Sequence, residues 1–161
     1  MTRAGRMVPY GFGADVLVAI CFLALGQAEL WGGWRAGGDG PAFNGSRPAE
    51  AVLIALVTLP LAGRRRRPVL AACVVSVALA IHVLFVSAEV SFVAGLLPLA
   101  VMVYSVACWG SPPGRLLGLA CLLGALVTLA SRIDEMRSTG EILFSTFVIA
   151  GIWFVGDLAR A

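Results

Sequence analysis

The chain is a succession of long apolar blocks, each stopped by a short polar or arginine-bearing stretch, and that pattern restricts its fold more than any other feature. The blocks run from Ala14 to Trp31, Pro48 to Gly63, Val69 to Val86, Val90 to Trp109, Leu116 to Ser131 and Ile142 to Leu158. Blocks approaching the roughly 20 residues needed to cross ~30 Å of hydrocarbon read as spanning helices. Composition agrees: 60% of residues are hydrophobic and 13% charged, with a mean hydropathy of +0.94. A soluble fold this apolar could not cover its own surface. The expected architecture is therefore all-α: one polytopic transmembrane domain of six helices over residues 1–161.

The third block is the clearest helix. Pro68 suits a first helical position, and Ser76 and His82 are the conspicuous polar groups in the eighteen residues that follow. The second is the weakest candidate, since its strongly apolar part, Ala51 to Ala62, spans only ~18 Å at ~1.5 Å per residue. It needs its polar flanks and a snorkelling Arg64 to cross. If all six cross from an inner amino terminus, the cytoplasmic side receives Arg3, Arg6, Arg64, Arg65, Arg66, Arg67, Arg115 and Arg160, and the outer side Arg35, Arg47, Arg132 and Arg137. That excess satisfies the positive-inside rule and puts both termini in the cytoplasm. A re-entrant second block would force either the Arg64–Arg67 run or the basic amino terminus outside. Trp31 and Trp34 then fall at the outer interface, and Trp109 and Trp153 near the inner one. A cleaved signal peptide ending near Gly26, Gln27 and Ala28 is the competing reading of the first block, but the apolar run continues to Trp31.

The net charge of +3 comes from twelve arginines, with no lysine, against nine acids. Four of the arginines form the run Arg64–Arg67 between two apolar blocks, where an inner-face anchor on anionic lipid explains them better than nucleic acid does. Cys21, Cys73, Cys108 and Cys121 all lie inside apolar blocks without close paired spacing, so they read as small buried apolar side chains. An inter-helix pairing among them has no support from the sequence.

No Walker loop, nucleophile elbow, zinc-protease helix or nucleotide-binding glycine box is present, so no catalytic residue, metal or cofactor is expected. Gly11, Gly13 and Asp15 read as a flexible start to helix one, and Asn44-Gly45-Ser46 as ordinary loop chemistry. The informative polar residues are Glu29, Glu50, His82 and Glu89, all toward the outer side. Ionisable groups at membrane depth are costly and face polar interiors or water, so an outward-open pocket with Glu29 and His82 at its floor could sense protons, a cation or a basic ligand. The plainer alternative places Glu50 and Glu89 at helix amino termini, lets Glu29 reach interfacial water, and has a neutral His82 bond to another helix. Small residues Gly114, Gly118, Ala120 and Gly124 allow close approach to helix five, for internal packing or a homodimer. Pro60 and Pro98 are expected to kink their helices.

Leu59-Pro60-Leu61-Ala62 running into Arg64–Arg67 and Pro68, Tyr104-Ser105-Val106-Ala107 near the inner end of helix four, and Trp153 followed by Gly156, Asp157, Leu158, Ala159 and Arg160 together resemble a known pattern. It is that of the amino-terminal membrane region of actinobacterial two-component sensor histidine kinases of the nitrate-sensor-like class. The resemblance implies a sensor or input domain of the bacterial plasma membrane, with Trp153, Gly156, Asp157 and Arg160 at the signal exit. Its partners would be the lipid bilayer, a second copy, a cytoplasmic kinase core and a response regulator. The phosphoacceptor helix and ATP-binding domain of that family have no counterpart in this chain, and His82 is no phosphoacceptor. Two other readings stay open: a small transporter or channel-like protein, and a structural membrane subunit.

Overall fold

The computed structural model describes residues 10–32, 46–86, 92–132 and 138–161. These form six helices: α1 Tyr10–Gly32, α2 Arg47–Thr58, α3 Pro68–Ile81, α4 Leu97–Trp109, α5 Pro112–Arg132 and α6 Thr139–Leu158. There is no strand among the described residues.

The helix ends follow local chemistry. Ser46 caps α2 by accepting the N–H of Ala49, with Pro48 in the first turn, and Ser138 caps α6 by accepting the N–H of Glu141. Pro68 opens α3, where its missing N–H has no helical acceptor to lose. Ser46, read from sequence as loop chemistry, is thus a cap. Prolines set the irregular turns as well. A helical Pro60 would drive its ring into the carbonyl one turn back, and the chain tightens instead into a 3₁₀ turn over Leu59–Gly63. This resolves the shortness of the second block. Twelve α-helical residues and five 3₁₀ residues together rise about 28 Å at ~1.5 and ~2.0 Å per residue, close to the hydrocarbon thickness. Pro98 is met in a different way. The turn before it, Phe92–Leu96, is π-helical, and a second π turn, His82–Val86, extends α3.

Helices α3 and α4 form the middle of the bundle. α3 packs on α2, α4 and α5, while α4 packs on α3, α5 and α6. α1 lies against α2, the 3₁₀ turn and the π turn before α4. The core where they meet contains Leu61, Ala72, Val75, Met102, Val106 and Leu129, all essentially inaccessible. Small residues set the spacing. A Cβ on Gly118 would lie 2.7 Å from Val106 Cγ1, and one on Gly114 2.8 Å from Val69 Cγ2. Gly124 has nothing within 4 Å and Ala120 is exposed, so only the first half of the small-residue stripe on α5 is a packing face.

The outside of the bundle is as apolar as its core. Phe85, Leu116, Val127, Phe144, Phe147 and Phe154 are all exposed, and α6 buries only Gly156. Four helices, Gly11–Gly32, Pro68–Val86, Pro112–Arg132 and Thr139–Leu158, are long and apolar enough to cross a membrane, and Ala94–Trp109 is a shorter apolar helix. A surface with this much exposed apolar area is membrane-like and suits contact with lipid.

Candidate functional site

The polar groups collect at the two ends of the bundle. At one end a cavity of about 20 Å³, measured as the space open to the centre of a water molecule, is lined by all of the first four helical segments. α1 contributes Gly26 and Glu29, α2 contributes Glu50, Leu53, Ile54 and Val57, α3 and its π turn Leu79 and His82, and the π turn before α4 Ala94 and Gly95. A volume of this order accommodates about one water molecule.

Gly26 makes the convergence feasible, because a Cβ there would lie 2.7 Å from Ile54 Cγ2 and 3.0 Å from Ala94 Cβ. Gln27 fastens the same contact: its Nε2 donates to the Ala51 carbonyl at 3.0 Å while its Oε1 accepts from Trp31 Nε1 at 3.0 Å. The Gly26-Gln27-Ala28 segment therefore lies in a close helix–helix contact.

Within the cavity wall, His82 Nδ1 lies 3.2 Å from Glu50 Oε2, and the Glu50 side chain is wholly inaccessible. Glu50 does sit in the first turn of α2, as the plainer reading has it, but it also faces the imidazole across the helix interface. Glu29 is 3% exposed and lines the same cavity. Glu29, Glu50 and His82 thus share one cavity, while Glu89 lies outside the described residues. In a low-dielectric site a carboxylate and an imidazole at this separation interact more strongly than they would in water.

The opposite end carries the Arg64–Arg67 run with Arg115 and Arg160. Asp15, 1% exposed, is gripped by two of them: Arg64 Nη2 at 2.7 Å from Oδ1 and Arg65 Nε at 2.8 Å from Oδ2. Arg65 also lies 5.4 Å from the Trp109 ring centroid, and Arg66 4.3 Å from that of Phe12. Gly11 admits Arg65, whose Nη1 would be 3.0 Å from a Cβ at that position. Gly11, Gly13 and Asp15 are inside α1, not a flexible start to it, and Arg64 and Arg65, two of the residues expected to anchor the inner face, pair with Asp15. A single acid near the basic end of an apolar block, with an arginine run to meet it, is the signal that was available.

The exit of α6 is fastened at the same end. Arg115 of α5 pairs with Asp157 and lies 5.2 Å from the centroid of the Trp153 ring, and Arg160 Nη1 donates to the Gly110 carbonyl at 2.9 Å. Gly156 packs so closely on α4 that a Cβ would be 2.8 Å from both Ala107 Cβ and the Tyr104 carbonyl oxygen. Trp153, Gly156, Asp157 and Arg160 are therefore all in contact with α4, α5 or the turn between them. Arg115, which holds two of them, was not singled out by the sequence reading.

Residues 3–161 match the family described as a domain of unknown function, DUF7134. No curated protein and no solved structure matches the chain.

Proposed function

We propose that this chain, which belongs to the DUF7134 family, is the membrane-embedded input domain of a bacterial two-component histidine kinase. It lies in the plasma membrane with both termini in the cytoplasm and passes a signal through α6 to a kinase core. The observation that carries this reading is the position of α4. Its leading π turn supplies Ala94 and Gly95 to the cavity, and its other half supplies Tyr104 and Ala107 to the face that Gly156 of α6 presses on. One element thus lines the cavity that holds Glu50 and His82 and also packs on α6.

A proton, cation or basic ligand taken up at Glu50 and His82 changes the charge beside the π turn, and π turns are local departures from α-helical bonding that recur at functional sites. Two packings of α4 with different affinity for that ligand would bias α6. The arginines at Asp15, and those at Asp157 and Gly110, hold the cytoplasmic end in one of them.

The test begins with the coding sequence after Ala161. A phosphoacceptor helix followed by an ATP-binding domain is expected, and full-length protein in nanodiscs should then autophosphorylate at a rate that changes with Gly156→Leu and not with Gly124→Leu. A frame without those domains, and with neither a kinase nor a response regulator encoded beside it, would overturn the reading.

A further inference from the structure

Cys73 of α3 and Cys121 of α5 meet across the helix interface with their sulfurs 3.4 Å apart. The sequence reading takes all four cysteines as small buried side chains. Of these, only Cys108 is buried, Cys21 is exposed, and Cys73 and Cys121 are both partly open. A disulfide has an S–S distance of about 2.05 Å, so closing this contact of 3.4 Å takes a movement of about 1.4 Å, a displacement that side-chain rotation can supply.

The pair lies on the apolar exterior. One helical turn away, Leu70 and Val77 on α3 and Leu117 and Gly124 on α5 are all exposed. Its depth follows from the helix starts. At ~1.5 Å per residue, Cys73 is about 8 Å into α3 from Pro68 and Cys121 about 13 Å into α5 from Pro112. Both therefore lie on the hydrocarbon side of the arginine-rich end. The glutathione and thioredoxin systems that keep cytosolic thiols reduced are water-soluble and do not enter hydrocarbon. Lipid-soluble two-electron acceptors, in contrast, partition to this surface.

We infer that Cys73 and Cys121 form a dithiol site oxidised by membrane quinones. One Sγ–Sγ bond forms and two S–H bonds break. The two electrons and both protons pass to the carbonyl oxygens of the quinone, which leaves as the quinol. The product ties α3 covalently to α5, the helix that also carries Arg115. The site stands on the cysteine geometry and does not depend on the kinase reading.

The test uses the full-length protein, reduced and freed of reductant, in lipid nanodiscs without oxygen. Decylubiquinone is the probe, because its fully substituted ring accepts electrons without arylating thiols. The expected result is loss of two hydrogens from the intact mass, a cross-linked peptide pair containing Cys73 and Cys121, and one equivalent of quinol. Cys73→Ser or Cys121→Ser should abolish all three signals, and Cys21→Ser or Cys108→Ser should abolish none. Two results would overturn the inference. Failure of both the quinone and hydrogen peroxide to form the bond would make the contact simple helix packing. Bond formation with peroxide but not with the quinone would leave a dithiol with the wrong oxidant assigned to it.

Discussion

Two buried acids show how this chain keeps a carboxylate away from water. Asp15 is held by Arg64 and Arg65, long side chains whose heads meet it from the turn that follows the 3₁₀ segment. Charge-assisted hydrogen bonds of this kind contribute about 1.5–3 kcal/mol, so Asp15→Asn is expected to lower stability by about 2 kcal/mol. Arg64→Gln should cost less, because Arg65 remains. Thermal unfolding of the purified protein in detergent reads both. Glu50 faces the His82 imidazole instead. A double-mutant cycle of Glu50→Gln with His82→Gln should return a coupling of about 1 kcal/mol, within the range for polar pairs between membrane helices. A coupling indistinguishable from zero would mean that the two side chains are neighbours without an energetic link.

Among the helices, α5 is the one whose two small-residue halves behave differently. Gly118 is pressed against Val106, whereas Gly124, six positions on, faces open space. Gly118→Leu should therefore overpack the α4–α5 contact and cost about 1–3 kcal/mol. Gly124→Leu should be neutral or stabilising, by up to about 1 kcal/mol from helix propensity. Equal effects at the two positions, measured by thermal unfolding, would show that α5 does not pack on this face. The sequence shows the small-residue stripe but not where it stops packing, since that depends on which way α4 crosses. Pro60 and Pro98 are legible as breaks in helical bonding. The directions they take, a tighter turn at Leu59–Gly63 and a wider one at Phe92–Leu96, are set by the neighbours each turn must reach.

For the molecule as a whole, the charges sort by end. Asp15 and Asp157 are each held by arginine at the end where Arg64, Arg65, Arg115 and Arg160 gather, and Glu29, Glu50 and His82 occupy the other. α1 starts and α6 finishes at the arginine-rich end. The proposed topology puts that end in the cytoplasm, in line with the positive-inside rule, so Ser46→Cys in a background lacking the native cysteines should react with an impermeant maleimide from outside intact cells. Arg160→Cys should react only after permeabilisation. The reverse pattern would invert the topology and move the Glu50–His82 cavity to the cytoplasmic half.

The sequence by itself determined that the chain is all-helical and membrane-like and that it has six helices, because apolar length and polar interruption are properties read along one dimension. It also supplied Glu29, Glu50 and His82 as the informative polar groups in an apolar setting, with a sensing pocket and plain helix-end placement both left open. Which of them meet was decided only by tertiary structure. Glu50 and His82 are 32 positions apart, and Asp15 and Arg64 are 49. Such distances close only when helix crossings, set by glycines such as Gly26 and Gly156, bring particular faces together. The pairing of Cys73 with Cys121 belongs to the same class. Spacing along the chain carries no trace of it, because the rotation of α3 against α5 alone aims the two sulfurs at each other.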